Sequence, residues 1–131
     1  MRAVIIFVAL MTCALSACGS SSEKSVLDRL TREARAVNPP GTNEASLRRF
    51  PCGQQANDSA SASYVLRTLT VRPGTAENVH DEIVKQYLGL GYHPNKLNRD
   101  DSALEGDTMV FVRVRQPGSS VEVEVSDQST C

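Results

Sequence analysis

Two histidines, a pair of cysteines and a group of carboxylates are the side chains of this 131-residue sequence that could do chemistry. His80 is followed directly by Asp81 and Glu82 in a stretch that reads as helix. Consecutive helical positions point in different directions, so the three cannot converge on one ion as the i, i+4 histidines of an H-E-x-x-H helix do. His93 precedes Pro94 at an element boundary, an ordinary place for a surface histidine. Asp100, Asp101, Glu105 and Asp107 gather in one loop, and clustered carboxylates can hold calcium. Their spacing is not D-x-D-x-D-G, and Gly106 falls outside any such frame, so no calcium site is predicted. No G-x-S-x-G elbow, phosphate-binding loop or dinucleotide fingerprint occurs. The expectation is a protein with no catalytic centre, no metal and no cofactor. A hydrolase would need His80 or His93 to meet a carboxylate or hydroxyl in a cleft.

The elements that must carry these residues are read from periodicity. Val26, Leu30, Ala34 and Val37 share one face of a helix over 26–37, which Ser25 can cap and Asn38-Pro39-Pro40-Gly41 ends. Residues 38–63 read as loop with at most a short strand near 45–50, and Tyr64 to Arg72 reads as a strand whose Val65, Leu69 and Val71 share a face. Thr75 is placed to cap the clearest helix, with Val79, Ile83, Tyr87 and Leu90 in one apolar stripe ending at Gly91. Tyr92 to Leu97 reads as an edge strand because it carries Pro94. Residues 98–107 read as an acidic loop.

Two alternating arms, 108–115 and 120–126, then flank Pro117-Gly118 as a hairpin. A turn centred there sets Val110, Val112 and Val114 opposite Val125, Val123 and Val121, with Arg113 opposite Glu122. The sum is an α+β domain: a small antiparallel or mixed sheet of about four strands, one main helix packed on one face, and an N-terminal helix. The hairpin's other face carries Met109, Phe111, Arg113, Arg115, Glu122 and Glu124. That set reads either as cross-strand ion pairs on a solvated face or as a mixed aromatic and charged recognition surface.

The leader gives the address. Arg2, an uninterrupted apolar and small run from Ala3 to Leu15, and a polar stretch after Cys18 have the layout of a secretory signal peptide. Thirteen helical residues would span roughly 20 Å, short of the roughly 30 Å hydrocarbon core. Within that leader, Leu15-Ser16-Ala17-Cys18 resembles the lipobox of bacterial lipoproteins. The resemblance implies that Cys18 receives a thioether-linked diacylglycerol, that the chain is cut after Ala17, and that Cys18 begins the mature protein. Residues 1–17 are then signal peptide, 18–25 a lipidated tether and 26–131 a single domain. The implied location is the extracytoplasmic face of the cell membrane, or the periplasm or outer membrane in a two-membrane cell.

In an exported chain the remaining pair, Cys52 and Cys131, reads as one structural disulfide, because disulfides persist outside the cytoplasm and no C-x-x-C spacing suggests redox or metal work. The formal net charge of −1 offers no basic stripe, which excludes nucleic acid as an expected partner. Small lipidated envelope proteins of unassigned activity are what the chain resembles. The expected role is non-enzymatic: a membrane-anchored binding or accessory protein with a possible envelope protein partner. A small-molecule or ion binder is the alternative, and a hydrolase a more remote one.

Overall fold

The computed structural model describes residues 18–53, 62–95 and 103–131. The leader over 1–17 lies outside them, as do Asp100 and Asp101. The described elements run α1 (Cys18–Ala36), β1 (Thr42–Phe50), β2 (Ala62–Val71), α2 (Ala76–Gly89), β3 (His93–Pro94), β4 (Ala103–Glu105), β5 (Met109–Arg115) and β6 (Glu122–Thr130). All strand pairs are antiparallel, in the order β1-β2-β6-β5-β4-β3. The α+β class and the helix-covered sheet stand as expected. The strand number does not: six strands replace about four. One addition is β1, a nine-residue strand over Thr42–Phe50 where at most a short strand near 45–50 was expected; the other is β4, inside the expected acidic loop. Both are short of the apolar alternation that marks a half-buried strand. Backbone pairing with a strong neighbour, not their own pattern, makes them strands.

Both helices lie on one sheet face. Leu27, Leu30 and Ala34 of α1 pack on Val65 of β2. Val79, Ile83 and Tyr87 of α2 pack with Leu69, Val110, Val112, Val123 and Val125. The α2 stripe is as read, except that Leu90 stands 59% exposed beyond the helix end. Thr75 sits at the N-cap position without capping through its side chain; its hydroxyl donates to the carbonyl of Arg72 instead. The helix α1 begins at Cys18, so the backbone over 18–25 is helical where a flexible tether and a cap at Ser25 were expected. Once the apolar face of 26–37 is nucleated, extending a helix through residues such as Lys and Glu costs far less than starting one.

The β5–β6 hairpin keeps valine opposite valine but shifts by one full repeat. Val112 pairs with Val125, Val114 with Val123, and Arg113 with Glu124, while Val110 faces Asp127. Proline explains the difference. A two-residue hairpin turn on Pro117-Gly118 would need positive φ at its first position, which proline's fixed φ of about −65° forbids. The strands therefore part earlier, and Gly118 alone takes positive φ, at 67°. Pro94 does occupy an edge strand, as its missing N–H requires.

Arg67 is the buried cation among the described residues of the helix-covered face. Its Nη1 donates to the carbonyls of Ala34 at 2.8 Å and Val37 at 2.6 Å, at the end of α1. Its Nε donates to Glu44 Oε1 at 2.9 Å and its Nη2 to Asn38 Oδ1 at 3.2 Å. Glu44 reaches this spot because the register of β1 slips between Glu44 and Ser46, a bulge that turns both Glu44 and Leu47 toward α1. Hydrogen bonding from Arg35, opposed by burial and reinforced by Arg67, holds the Glu44 carboxyl below its ordinary range. Replacing Arg67 by Met leaves the two helix-end carbonyls without their donor, and the expected loss is about 3–5 kcal/mol of stability. Urea unfolding followed by circular dichroism measures it. Glu44→Gln, at a more exposed site, should cost far less.

Candidate functional site

The residues singled out in the sequence do not form one centre. Cys52 and Cys131 are joined as a disulfide, with Cα atoms 6.0 Å apart, as expected. The bridge ties the end of β1 to the end of β6 across the start of β2, and the Ser63 hydroxyl lies 3.0 Å from the Cys52 sulfur. The backbone of Cys18 opens α1. His80 Nδ1 lies 3.1 Å from Asp81 Oδ1, on a carboxylate that is 78% exposed. His93 is exposed at the sheet edge, across from Glu105. The two histidines stand on different elements, His80 on α2 and His93 on β3. Glu105, the last residue of β4, and Asp107, on the turn after it, are exposed, and no described group of three His, Cys, Asp or Glu side chains could hold a metal. Gly106 has a packing reason: a Cβ there would meet the Tyr92 ring at 2.8 Å.

The sheet face turned away from the helices holds the candidate site. Directly paired residues share a face, so Tyr64, Gln128 and Met109 form one row across β2, β6 and β5, and Leu66, Ser126 and Phe111 form the next. Between them lies a shallow cleft of about 340 Å³, with Ala62, Tyr64 and Leu66 on one wall and Phe111 and Arg113 on the other. Its floor is β6, where Gln128 Nε2 donates to Ser126 Oγ at 3.1 Å. Beyond Tyr64 the wall continues onto β1. Phe50 stacks on Tyr64 with ring centres 4.3 Å apart, and the Arg48 guanidinium lies over Phe50 at 5.4 Å. Arg115 donates to Glu124 Oε2 at 2.6 Å, one position off the direct Arg113–Glu124 pairing. The face thus carries a cross-strand ion pair at one end and half-buried rings around a cleft at the other.

Sequence reasoning missed the polar cluster on the opposite face. Asp127 is fully buried, and neither carboxylate oxygen has a hydrogen-bond partner of good geometry among the described residues. Tyr87 Oη and Glu33 Oε2 are likewise buried without one. The Thr108 hydroxyl, close enough to favour the Asp127 carboxylate, is engaged with Tyr92 Oη at 2.8 Å. Burial raises the Asp127 pKa to about 7, and the Glu33 carboxylate pushes in the same direction against Thr108, Arg29 and the Gln128 backbone. Burial first, and then Asp127, also raises the Tyr87 phenol. A signal was present in the sequence: Asp127 continues the every-second-residue run Val121, Val123, Val125, as Arg67 continues Val65, Leu69 and Val71. Alternation that runs through a charge marks a charge that points inward.

No family model, no curated protein and no solved structure matches this chain. What the site can do follows from its chemistry. The cleft offers aromatic and aliphatic contact, an amide, a hydroxyl, a guanidinium and, from Glu124, a carboxylate.

The buried Asp127 makes stability depend on pH. Its carboxyl ionises near pH 4 in the unfolded chain and near pH 7 in the folded one, so between those values the folded state binds the extra proton. This contribution to stability is complete below about pH 4, falls as pH rises, and is lost above about pH 7, a swing on the order of 4 kcal/mol. Asp127→Asn should remove the decline over that window. Thermal melts of both forms at pH 5, 6, 7 and 8 give the comparison, and parallel curves would contradict it.

Proposed function

We propose that the protein is an extracytoplasmic lipoprotein, held to the membrane by a lipid on Cys18, which binds a second envelope protein through the open face of its sheet. The observation that carries the binding role is the cleft between Tyr64, Leu66 and Phe111. These apolar side chains stand on a sheet face that neither helix covers, although the opposite face of the same strands is closed. Aromatic side chains such as those of Tyr64 and Phe111 are enriched at protein interfaces. The anchor rests on the lipobox-like Leu15-Ser16-Ala17-Cys18, with the two or more acyl chains that stable attachment needs. No described helix is long and apolar enough to cross a membrane. The Cys52–Cys131 bridge suits a compartment where disulfides persist.

A second reading, a small-molecule lipoprotein, draws on the same cleft, whose volume of about 340 Å³ falls at the lower end of the range of ligand pockets.

Two measurements test the proposal. Membrane fractionation should find the wild-type protein with membranes and Cys18→Ala released from them. A photocrosslinking residue placed at Arg113, beside the cleft, should yield one reproducible protein adduct in living cells, while the same residue at Lys85 on the exposed side of α2 should not. Equal labelling from both positions would remove the case for the open face.

A further inference from the structure

The cleft's lining narrows what it can hold, and this step rests on the binding role proposed above. Adjacent strands lie about 4.8 Å apart, so the walls on β2 and β5 stand about 10 Å apart with β6 as the floor. That gap admits one side chain between the Tyr64 and Phe111 rings. On the floor, Gln128 gives one of its two amide hydrogens to Ser126, which leaves the second to donate, its carbonyl oxygen to accept and the Ser126 hydroxyl to donate to an incoming backbone.

The charges on this face are unequal in availability. Arg115 is engaged with Glu124 and Arg48 with the Phe50 ring. Glu122, the other carboxylate, lies nearer the hairpin tip and does not line the cleft. Arg113 lines the cleft, is exposed, and forms no ion pair among the described residues. Glu124 also lines the cleft, directly opposite Arg113, but Arg115 holds its carboxylate at 2.6 Å, which leaves the Arg113 guanidinium as the charge at the mouth without an ion-pair partner among the described residues. Phe111 and Arg113 are two residues apart on one strand face, about 6.7 Å, the distance between side chains i and i+2 of an extended peptide.

We infer that the cleft takes an acidic, apolar segment of a protein partner: an extended stretch with an apolar side chain between Tyr64 and Phe111 and a carboxylate, two residues along, on Arg113. A basic segment would set its cation against Arg113 with Glu124 already engaged, and a wholly apolar one would leave the guanidinium unmatched at its edge.

The test uses two capped heptapeptides, one with Phe-Thr-Asp at its centre and a twin with Phe-Thr-Asn, titrated at low salt into the lipidated protein in neutral detergent micelles and followed by amide NMR. The Asp peptide should shift resonances of Phe111, Arg113, Ser126 and Gln128 and bind about threefold to fivefold more tightly than its twin, the size expected of a partly exposed ion pair. Arg113→Gln, at an exposed position that leaves the fold intact, should abolish the preference, and Phe111→Ala should weaken both peptides alike. Equal binding of the two peptides, or a preference that survives Arg113→Gln, overturns the inference. If neither peptide binds while the crosslinker at Arg113 still captures a protein, the acidic segment is wrong and the binding face stands. If the crosslinker captures a lipid or saccharide, the inference falls in favour of a small ligand. If it captures nothing, both readings fall.

Discussion

Arg67 reaches from the middle of β2 to the last carbonyls of α1, to Asn38 in the turn that follows, and to Glu44 on β1. One guanidinium thus closes the end of a helix, fixes the turn after it, and sets the lateral position of the sheet's outer strand. A cation suits the negative end of a helix dipole, and a planar fork with five donors can serve several acceptors at once where an ammonium could not. The rest of the arrangement follows from it. The bulge in β1 exists to bring Glu44 within reach, Asn38 then exchanges hydrogen bonds with Gln86 of α2, and the two helices lie side by side on one sheet face.

That seating separates the two faces by chemistry. The covered face is mostly apolar, and of its two buried charged residues Arg67 is satisfied and Asp127 is not. The open face keeps its rings half-buried and pairs its charges across strands. Asp127 lies beneath α1 and faces another carboxylate, that of Glu33, so the helix rests on a polar spot that holds it well only while a proton is present. The open face has no comparable penalty, because water reaches its charged groups.

Legibility in the sequence followed the strength of local pattern. Val79, Ile83 and Tyr87 repeat with helical spacing and define α2 without help from the rest of the chain. Val110, Val112, Val123 and Val125 alternate and give the hairpin's inward face, but its register depended on the turn, where the fixed φ of Pro117 outweighed the symmetry of the valines. The strand β1 was hidden because Thr42 to Phe50 carries exposed, mostly polar residues; its pairing with β2 is a tertiary fact. The candidate site was half visible. Phe111 and Arg113 belong to the alternating hairpin and could be placed on one face, whereas Tyr64 and Phe50 reach that face only through the sheet order, which no local pattern encodes.

The helix that replaces the expected tether changes how the domain meets a load. From Cys18 to Leu27, the first residue seated in the core, the backbone is continuous helix of about 14 Å, a strut rather than a string. Tension applied at Cys18 would run along the axis of α1 and be resisted first by Leu27 and Leu30 against Val65, then by the Arg67 clasp at the far end. It would arrive at β2, a strand bonded on both sides, and at the end of the sheet where the disulfide locks β1 to β6. A pull at Cys18 is thereby spread through the interior of the sheet instead of peeling an edge.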